Sequence, residues 1–180
     1  FCLTNVLKKN KVEKGSECII PGVCWSTTLW PILQSGLKPV FVDVDINNFC
    51  IDYSSIIKKV TKKTKVIILV NVLGNCPEID KIRIFAKKKK IYLIEDNCES
   101  LGSKYNNKFL GTYGDFGTFS FYYSHQVTAG EGGMLTTNDD DIARYARSYQ
   151  NRGVDLNSEV EIFKIPSRNV RLPEFSALLG

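Results

Sequence analysis

The sequence predicts an α/β domain in which a mostly parallel sheet carries helices on both faces. Its apolar residues come in short unbroken blocks, which is typical of strands that are buried on both sides. Segments with helical spacing lie between the blocks, and this alternation favours a parallel sheet. The chain has 180 residues, of which 43% are hydrophobic and 24% charged, so it can bury a sizeable core.

Four apolar blocks predict the first four strands, at residues 18–20, 40–42, 66–70 and 91–94. Three helices are predicted between them, at residues 27–35, 53–60 and 78–89. Ile79, Ile82 and Ala86 recur on one face of the last helix, as a helix packed on a sheet requires.

After Asp96 the predicted strands and helices no longer alternate. Residues 117–121 and 133–137 predict two further short strands, and the loop between them contains His125, the only histidine of the chain. Residues 138–140 supply an N-cap and an acidic first turn for a helix that runs to about Tyr149. The tail from Asp155 to Ile165 is polar and is expected to be irregular, and Pro166 and Pro173 are expected to break it further. No repeat or linker divides the chain.

Composition excludes several classes of function. The net charge is +5, but the lysine runs at 62–63 and 87–90 precede apolar segments and are interpreted as solvated helix ends, so we expect no nucleic-acid partner. The six cysteines are scattered without a Cys-x-x-Cys pair, which predicts reduced thiols in a cytoplasmic protein and no metal site. No apolar run is long enough to predict a membrane span.

Polar and aromatic residues follow the predicted strands at their carboxyl ends, where open α/β sheets bind ligands. Trp25 follows the first strand, Asp96 the fourth, and Ser120 and His125 the fifth. An acid, an indole and hydroxyls suit a planar cationic heterocycle that carries a phosphate. Each residue has a simpler interpretation: Asp96 as a helix N-cap, Trp25 as part of the core, and His125 as a hairpin residue without chemistry.

Three segments together resemble the nucleotide-sugar aminotransferase family of fold-type I pyridoxal-phosphate enzymes. They are the strand at 91–94 with Glu95 and Asp96, the strand at 117–121, and the turn at 130–133. Residues 25–28, 42–45, 71–75 and 95–100 are most similar to the sugar 3-dehydratases within it, above all the colitose-pathway branch that acts on GDP-4-keto-6-deoxy-mannose. The resemblance extends from about Lys11 to Gly180.

The resemblance implies a cofactor site. Asp96 would pair with the pyridine nitrogen of pyridoxal phosphate, Trp25 would stack on the ring, and Ser120 would bind the phosphate. Asn169 matches an asparagine that reaches the phosphate in the neighbouring subunit, which implies a homodimer, and Arg171 is a weaker candidate beside it. Residues 1–180 would then be a partial PLP-binding large domain of a fold-type I enzyme, a fragment without its upstream segment and its C-terminal small domain.

Two residues depart from the aminotransferase pattern. His125 stands where aminotransferases have the Schiff-base lysine, and Glu99 stands where they usually have glutamine near the ring hydroxyl. In the 3-dehydratases the histidine is the base. The resemblance therefore implies that pyridoxamine phosphate, regenerated by glutamate, removes the 3-hydroxyl of a nucleotide-linked 4-keto-6-deoxy sugar. An aminotransferase and a non-catalytic relative that binds cofactor or sugar remain as alternatives.

A related branch of the family uses an iron–sulfur cluster, with one cysteine at the position of Cys98 and others beyond it. This chain has no cysteine after Cys98, so we expect no cluster and interpret Cys98 as a buried thiol.

Overall fold

A six-stranded sheet forms the centre of the protein. The computed structural model describes residues 12–167 and 169–180, so Lys11, within the range of the family resemblance, lies outside them. Its strands follow one another in the order 38–42, 17–21, 64–70, 92–96, 116–120 and 133–137, and every neighbouring pair is parallel except the last. The prediction of an α/β domain with a mostly parallel sheet is confirmed.

The described elements follow one another in the predicted alternation. The strands are β1 (Glu17–Pro21), β2 (Lys38–Val42), β3 (Thr64–Val70), β4 (Tyr92–Asp96), β5 (Lys104–Tyr105), β6 (Lys108–Phe109), β7 (Phe116–Ser120) and β8 (Gly133–Thr137). The α-helices are α1 (Ser26–Gln34), α2 (Tyr53–Lys59), α3 (Ile79–Lys89), α4 (Asp140–Gln150) and α5 (Glu174–Leu179). A single 3₁₀ turn, Val72–Gly74, follows β3.

Alternate side chains of the same strands build two separate cores. Ile19, Ile67 and Leu93 point to one face, where they pack with α2 and α3. Ile20 and Ile68 point to the other face, where α1 and α4 pack. Because both faces are covered, the strands are apolar throughout, which explains the unbroken blocks of the sequence.

Local capping matches the predicted helix ends in two places. The Asp139 side chain accepts hydrogen bonds from the first turn of α4, as predicted. Helix α3 ends at Lys90 in the left-handed conformation, with lysines in its last turn, where the helix dipole favours cations. Lys62 and Lys63 do not belong to a helix end, because α2 stops at Lys59 and they lie in the turn before β3.

Two elements differ from the prediction. The hairpin of β5 and β6 was not expected, because strands of two residues have no apolar period. Residues 155–165 are irregular, as predicted. Helix α5, which was not predicted, forms beyond them, and Pro173, which we expected to break the chain, is its N-cap. Proline suits a helix start because the missing N–H would have no partner there. Within the described ranges, none of the helices combines the length and the apolar character that a bilayer span requires.

Candidate active site

The carboxyl ends of β1, β3, β4 and β7 meet at one edge of the sheet. Strand β1 has β2 on one side and β3 on the other, so the order of winding reverses between β1 and β3. Such a reversal opens a crevice that α/β proteins use for ligands. All predicted site residues except Asn169 and Arg171 lie at the ends of these strands or in the loops that follow them.

Asp96 is the last residue of β4, and both of its carboxylate oxygens accept hydrogen bonds. The Thr28 hydroxyl donates to Oδ2 over 2.7 Å, and the backbone N–H of Cys98 donates to Oδ1 over 3.2 Å. Residues 98–99 form a turn and no helix begins there, so the interpretation of Asp96 as a helix N-cap is wrong. Two donors from different segments fix the orientation of this carboxylate.

Trp25 precedes the first turn of α1 as its N-cap residue. Its side chain is 75% exposed, so it does not belong to the core. The backbone N–H of Thr28 donates to the Trp25 carbonyl over 3.0 Å. The indole therefore stands free at the carboxyl edge, and the same helical turn connects it to the residue that binds Asp96.

A cavity of about 840 Å³ lies between α1, α4 and the sheet face that carries Ile68 and Ile94. Asp96 and Thr28 line it together with mainly apolar side chains. Of the predicted site residues, its described lining includes Asp96 but not Trp25, Ser120 or His125. The carboxylate thus faces a large space, while Trp25, Ser120 and His125 do not line it.

Ser120 and His125 are held by the long connection between β7 and β8. Ser120 ends β7, and its Oγ accepts a hydrogen bond of 3.2 Å from the backbone N–H of Tyr122. The backbone N–H of His125 donates to the Tyr122 carbonyl, and the two rings lie edge to face with centroids 6.3 Å apart. His125 is half-buried.

Glu99 joins three of the loops at this edge. Its exposed side chain accepts a hydrogen bond of 2.9 Å from the backbone N–H of Leu73, which follows β3. Its backbone carbonyl accepts a hydrogen bond of 2.5 Å from the side-chain amide of Gln126, next to His125. Glu99 and Gln126 therefore connect the loop after β4 to the loop that carries the histidine.

Asn169 lies apart from the other candidates. It forms an isolated bridge with Asn151, after α4, and its side-chain oxygen accepts a hydrogen bond of 3.0 Å from Nε of Arg171. Within the described residues, its recorded side-chain bonds are to Arg171 and to none of the other predicted site residues. The Asn169 and Arg171 side chains are exposed and paired with each other.

Two thiols lie close to Asp96. Burial raises the pKa of Cys98 above its usual range, and the negative charge of Asp96 raises it further. Burial also raises the pKa of Cys24, again with a contribution from Asp96. Cys98 is half-buried rather than fully buried, and it lines the cavity. In the described part of the chain, no three His, Cys, Asp or Glu side chains are grouped to hold a metal ion.

Three fully buried polar residues behind the site escaped the sequence analysis. The Glu95 carboxylate accepts 2.7 Å hydrogen bonds from three backbone N–H groups of residues 111–114. Asn71 donates from its side chain to Asn97 over 2.7 Å, and its backbone N–H donates to the Asp96 carbonyl. The sequence signal that could have identified Glu95 is a charged residue at the end of an apolar strand. No sequence signal marks the two asparagines.

Known proteins resemble this chain in sequence and in fold. A family model described as the DegT/DnrJ/EryC1/StrS aminotransferase family matches residues 2–180. A GDP-4-keto-6-deoxy-D-mannose 3-dehydratase of Escherichia coli O55:H7 is 41% identical over 96% of this chain and 49% of its own length. The chain spans about half the length of the curated relatives it matches.

Two solved structures of such dehydratases superpose on nearly the whole chain. One is a variant of GDP-4-keto-6-deoxymannose-3-dehydratase with bound GDP-perosamine, with a TM-score of 0.91 and 38% identity over 99% of this chain and 51% of that one. The other contains a trapped PLP-glutamate geminal diamine, with a TM-score of 0.90 and 38% identity over the same shares. Similarity at this level extends to sequence as well as fold.

Proposed function

This chain belongs to the DegT/DnrJ/EryC1/StrS aminotransferase family, and from that premise we propose that it forms the cofactor-binding part of a PLP/PMP-dependent sugar 3-dehydratase. The proposed reaction removes the 3-hydroxyl of a nucleotide-linked 4-keto-6-deoxy sugar. The names of the relatives and the cofactor and nucleotide sugar bound in the two solved structures support this proposal.

The residues at the carboxyl edge fit the phosphorylated pyridine ring. Asp96 presents an oriented carboxylate to a cavity, as a partner for a protonated ring nitrogen requires. Trp25 offers an exposed indole face for stacking. Ser120 accepts a backbone hydrogen bond and keeps its O–H to donate to a phosphate oxygen.

We assign the remaining candidates by their place in the fold. Glu99 holds the loop after β3 by its carboxylate and stands on the loop that follows Asp96. Asn169, exposed and paired with Arg171, is proposed to reach the phosphate bound by a second subunit, which makes the protein a homodimer. We further propose that an upstream segment and a C-terminal small domain complete the protein, which would act in the cytoplasm.

One observation favours a dehydratase over an aminotransferase: the connection between β7 and β8 contains His125 and no lysine. When bound, the cofactor supplies an electron sink for the loss of the hydroxyl. An imidazole can accept and return a proton near neutral pH, but it cannot form the covalent amine link of a lysine. His125 therefore supplies proton transfer while the cofactor is held by non-covalent contacts alone.

The test uses the full-length protein with pyridoxal phosphate, glutamate and a GDP-linked 4-keto-6-deoxy sugar. We expect a sugar product that is lighter by one oxygen atom, with one 2-oxoglutarate and one ammonia formed per sugar. These products balance, because glutamate supplies the two electrons that replace the hydroxyl by hydrogen. The variant His125→Asn should retain cofactor binding and lose turnover by at least about a hundredfold, as expected for a lost general base.

Two results would contradict the proposal. A 4-amino sugar that keeps its 3-hydroxyl would identify an aminotransferase. Cofactor that binds but is never converted to its amine form by glutamate would identify a non-catalytic binding protein. The variant Tyr123→Phe is the matched control, because it changes an exposed residue of the same loop without touching the imidazole.

A further inference from the structure

Resting on the proposed cofactor site, we infer that Thr28 is a positioning residue that orients Asp96 toward the cofactor ring and fixes its relation to Trp25. The hydrogen bond that carries this inference joins the first turn of α1 to the end of β4, 68 residues apart in sequence. The family resemblance of residues 25–28 does not distinguish Thr28 from its neighbours Ser26 and Thr27, which also carry hydroxyl groups.

The Thr28 hydroxyl is committed to Asp96. Threonine in a helix often returns its hydroxyl to a carbonyl of the preceding turn. Here the hydroxyl donates to Asp96 Oδ2 over 2.7 Å instead, from a side chain that is only 9% exposed. A short hydrogen bond to a carboxylate is among the stronger hydrogen bonds of a protein.

Thr28 also connects the two groups proposed to hold the ring. Its backbone N–H donates to the Trp25 carbonyl, so one residue binds the indole-bearing segment through its main chain and the carboxylate through its side chain. Cys98 holds only the second oxygen, Oδ1, through its backbone N–H. Without the Thr28 hydroxyl, Asp96 retains one of its two donors and can rotate about its side-chain bonds.

The experiment compares full-length wild type with Thr28→Val, which keeps the shape, and Thr28→Ser, which keeps the hydroxyl. Dissociation constants for pyridoxal phosphate are measured first. The ring nitrogen is then followed by ¹⁵N NMR with ¹⁵N-labelled pyridoxal phosphate between acid and alkaline pH. This second readout reports the contact between the ring and Asp96 directly and does not depend on turnover.

We expect Thr28→Val to weaken pyridoxal phosphate binding about tenfold, the loss typical of one hydrogen bond to a charged group. The ring nitrogen should lose its proton about one pH unit lower than in wild type, because the carboxylate no longer faces it reliably. Thr28→Ser should stay within about twofold of wild type in affinity, since the donor is restored.

Three outcomes would overturn the inference. If Thr28→Val matches wild type in both measurements, the hydroxyl is dispensable. If its ring nitrogen loses its proton at a higher pH than in wild type, the hydroxyl only weakens the carboxylate as an acceptor. If Thr28→Ser fails like Thr28→Val, the side-chain shape and not the hydroxyl matters. A wild type that does not bind pyridoxal phosphate refutes the proposed function and this inference with it.

Thr61→Val is the matched control. Thr61 also donates its hydroxyl to a carboxylate, that of Glu17, over 2.6 Å. That bond lies at the amino end of β1, at the opposite edge of the sheet from Asp96. We expect this variant to leave both the affinity for pyridoxal phosphate and the ring-nitrogen titration unchanged.

Discussion

Glu95 and Asp96 are adjacent in β4, yet their carboxylates have opposite surroundings. Glu95 is completely buried and is surrounded by three backbone N–H groups. Asp96 points to the other side of the strand, lines the cavity and accepts the Thr28 hydroxyl. The alternation of side chains along a strand thus gives one carboxylate to the scaffold and the next to the site.

We predict that Glu95→Gln destabilises the full-length protein by about 3 kcal/mol, because the new amide group faces a backbone N–H that then lacks an acceptor. The loss should appear as a lower midpoint of urea unfolding. Glu78→Gln is the control: Glu78 is exposed and forms a surface ion pair with Lys81, so its replacement should cost less than about 0.5 kcal/mol. Equal losses in the two variants would contradict a special role for Glu95.

The proximity of Asp96 to two thiols can be measured without substrate. Its negative charge raises the pKa of Cys98 and of Cys24, in each case after the larger effect of burial. Asp96→Asn should therefore lower both pKa values and accelerate alkylation of these cysteines by iodoacetamide at pH 8. Peptide mass spectrometry gives the rate at each cysteine, and Cys18, whose side chain is completely buried, should remain slow. Unchanged rates at Cys24 and Cys98 would show that the thiols do not sense this carboxylate.

Gly111 is predicted to tolerate no side chain. Its backbone has φ +86°, and an added Cβ would lie 2.5 Å from the Phe119 ring and 3.0 Å from the Asn97 amide. Gly102 has φ +83° with open space around it, so Gly102→Ala should lower the free energy of unfolding by only about 1 kcal/mol, through backbone strain. Gly111→Ala should cost about 2 kcal/mol more than that in the same unfolding measurement. A difference near zero would mean that Phe119 moves aside freely.

The carboxyl group of Asp52 predicts how the free energy of unfolding changes with pH. The Ser54 hydroxyl and the first N–H groups of α2 hold the pKa of this N-cap carboxyl at about 2, below its usual value of 3.8. A carboxyl with a lowered pKa in the folded state stabilises above its usual pKa and loses that contribution as the pH falls toward 2. Asp52→Ala should cost about 1 kcal/mol at pH 7 and less at pH 3.

Asn is the matched replacement at that cap, because it keeps a capping oxygen without a charge that titrates. The stability of Asp52→Asn relative to Asp52→Ala should therefore be the same at pH 7 and pH 3. A cost of Asp52→Ala that does not change with pH would show that the charge of the cap is irrelevant.

The central sheet was predictable because every strand buried on both faces must be apolar, and the sequence shows this directly. The prediction ended the fourth strand at residue 94, whereas β4 continues to Asp96, because hydrogen bonds to β3 and β7 and not hydrophobicity decide where pairing stops. Strands β5 and β6 pair with each other across the turn at Asn106 and Asn107, and with two residues each they are too short to show an apolar alternation.

The candidate site was predictable only where a residue type is itself unusual. Asp96 and His125 stand out against apolar and glycine-rich surroundings. Thr28 and Asn71 do not, because hydroxyl and amide side chains are common in loops and helix starts, and their partners are fixed only by the fold. Glu95 stands out as a charge at the end of an apolar strand, but its partners could not be predicted, since it binds backbone N–H groups that nearly any residue at positions 111–114 would offer.

Alternate side chains of each central strand belong to two different cores, and this limits where the protein can accept insertions and deletions. Deleting one residue inside β3 would exchange the sides of Ile67 and Ile68 and send every later side chain of the strand to the wrong core. Insertions and deletions should therefore be confined to connections such as residues 155–162, where only turns are present. In a library of random length variants, survivors should accumulate there and be missing from the central strands.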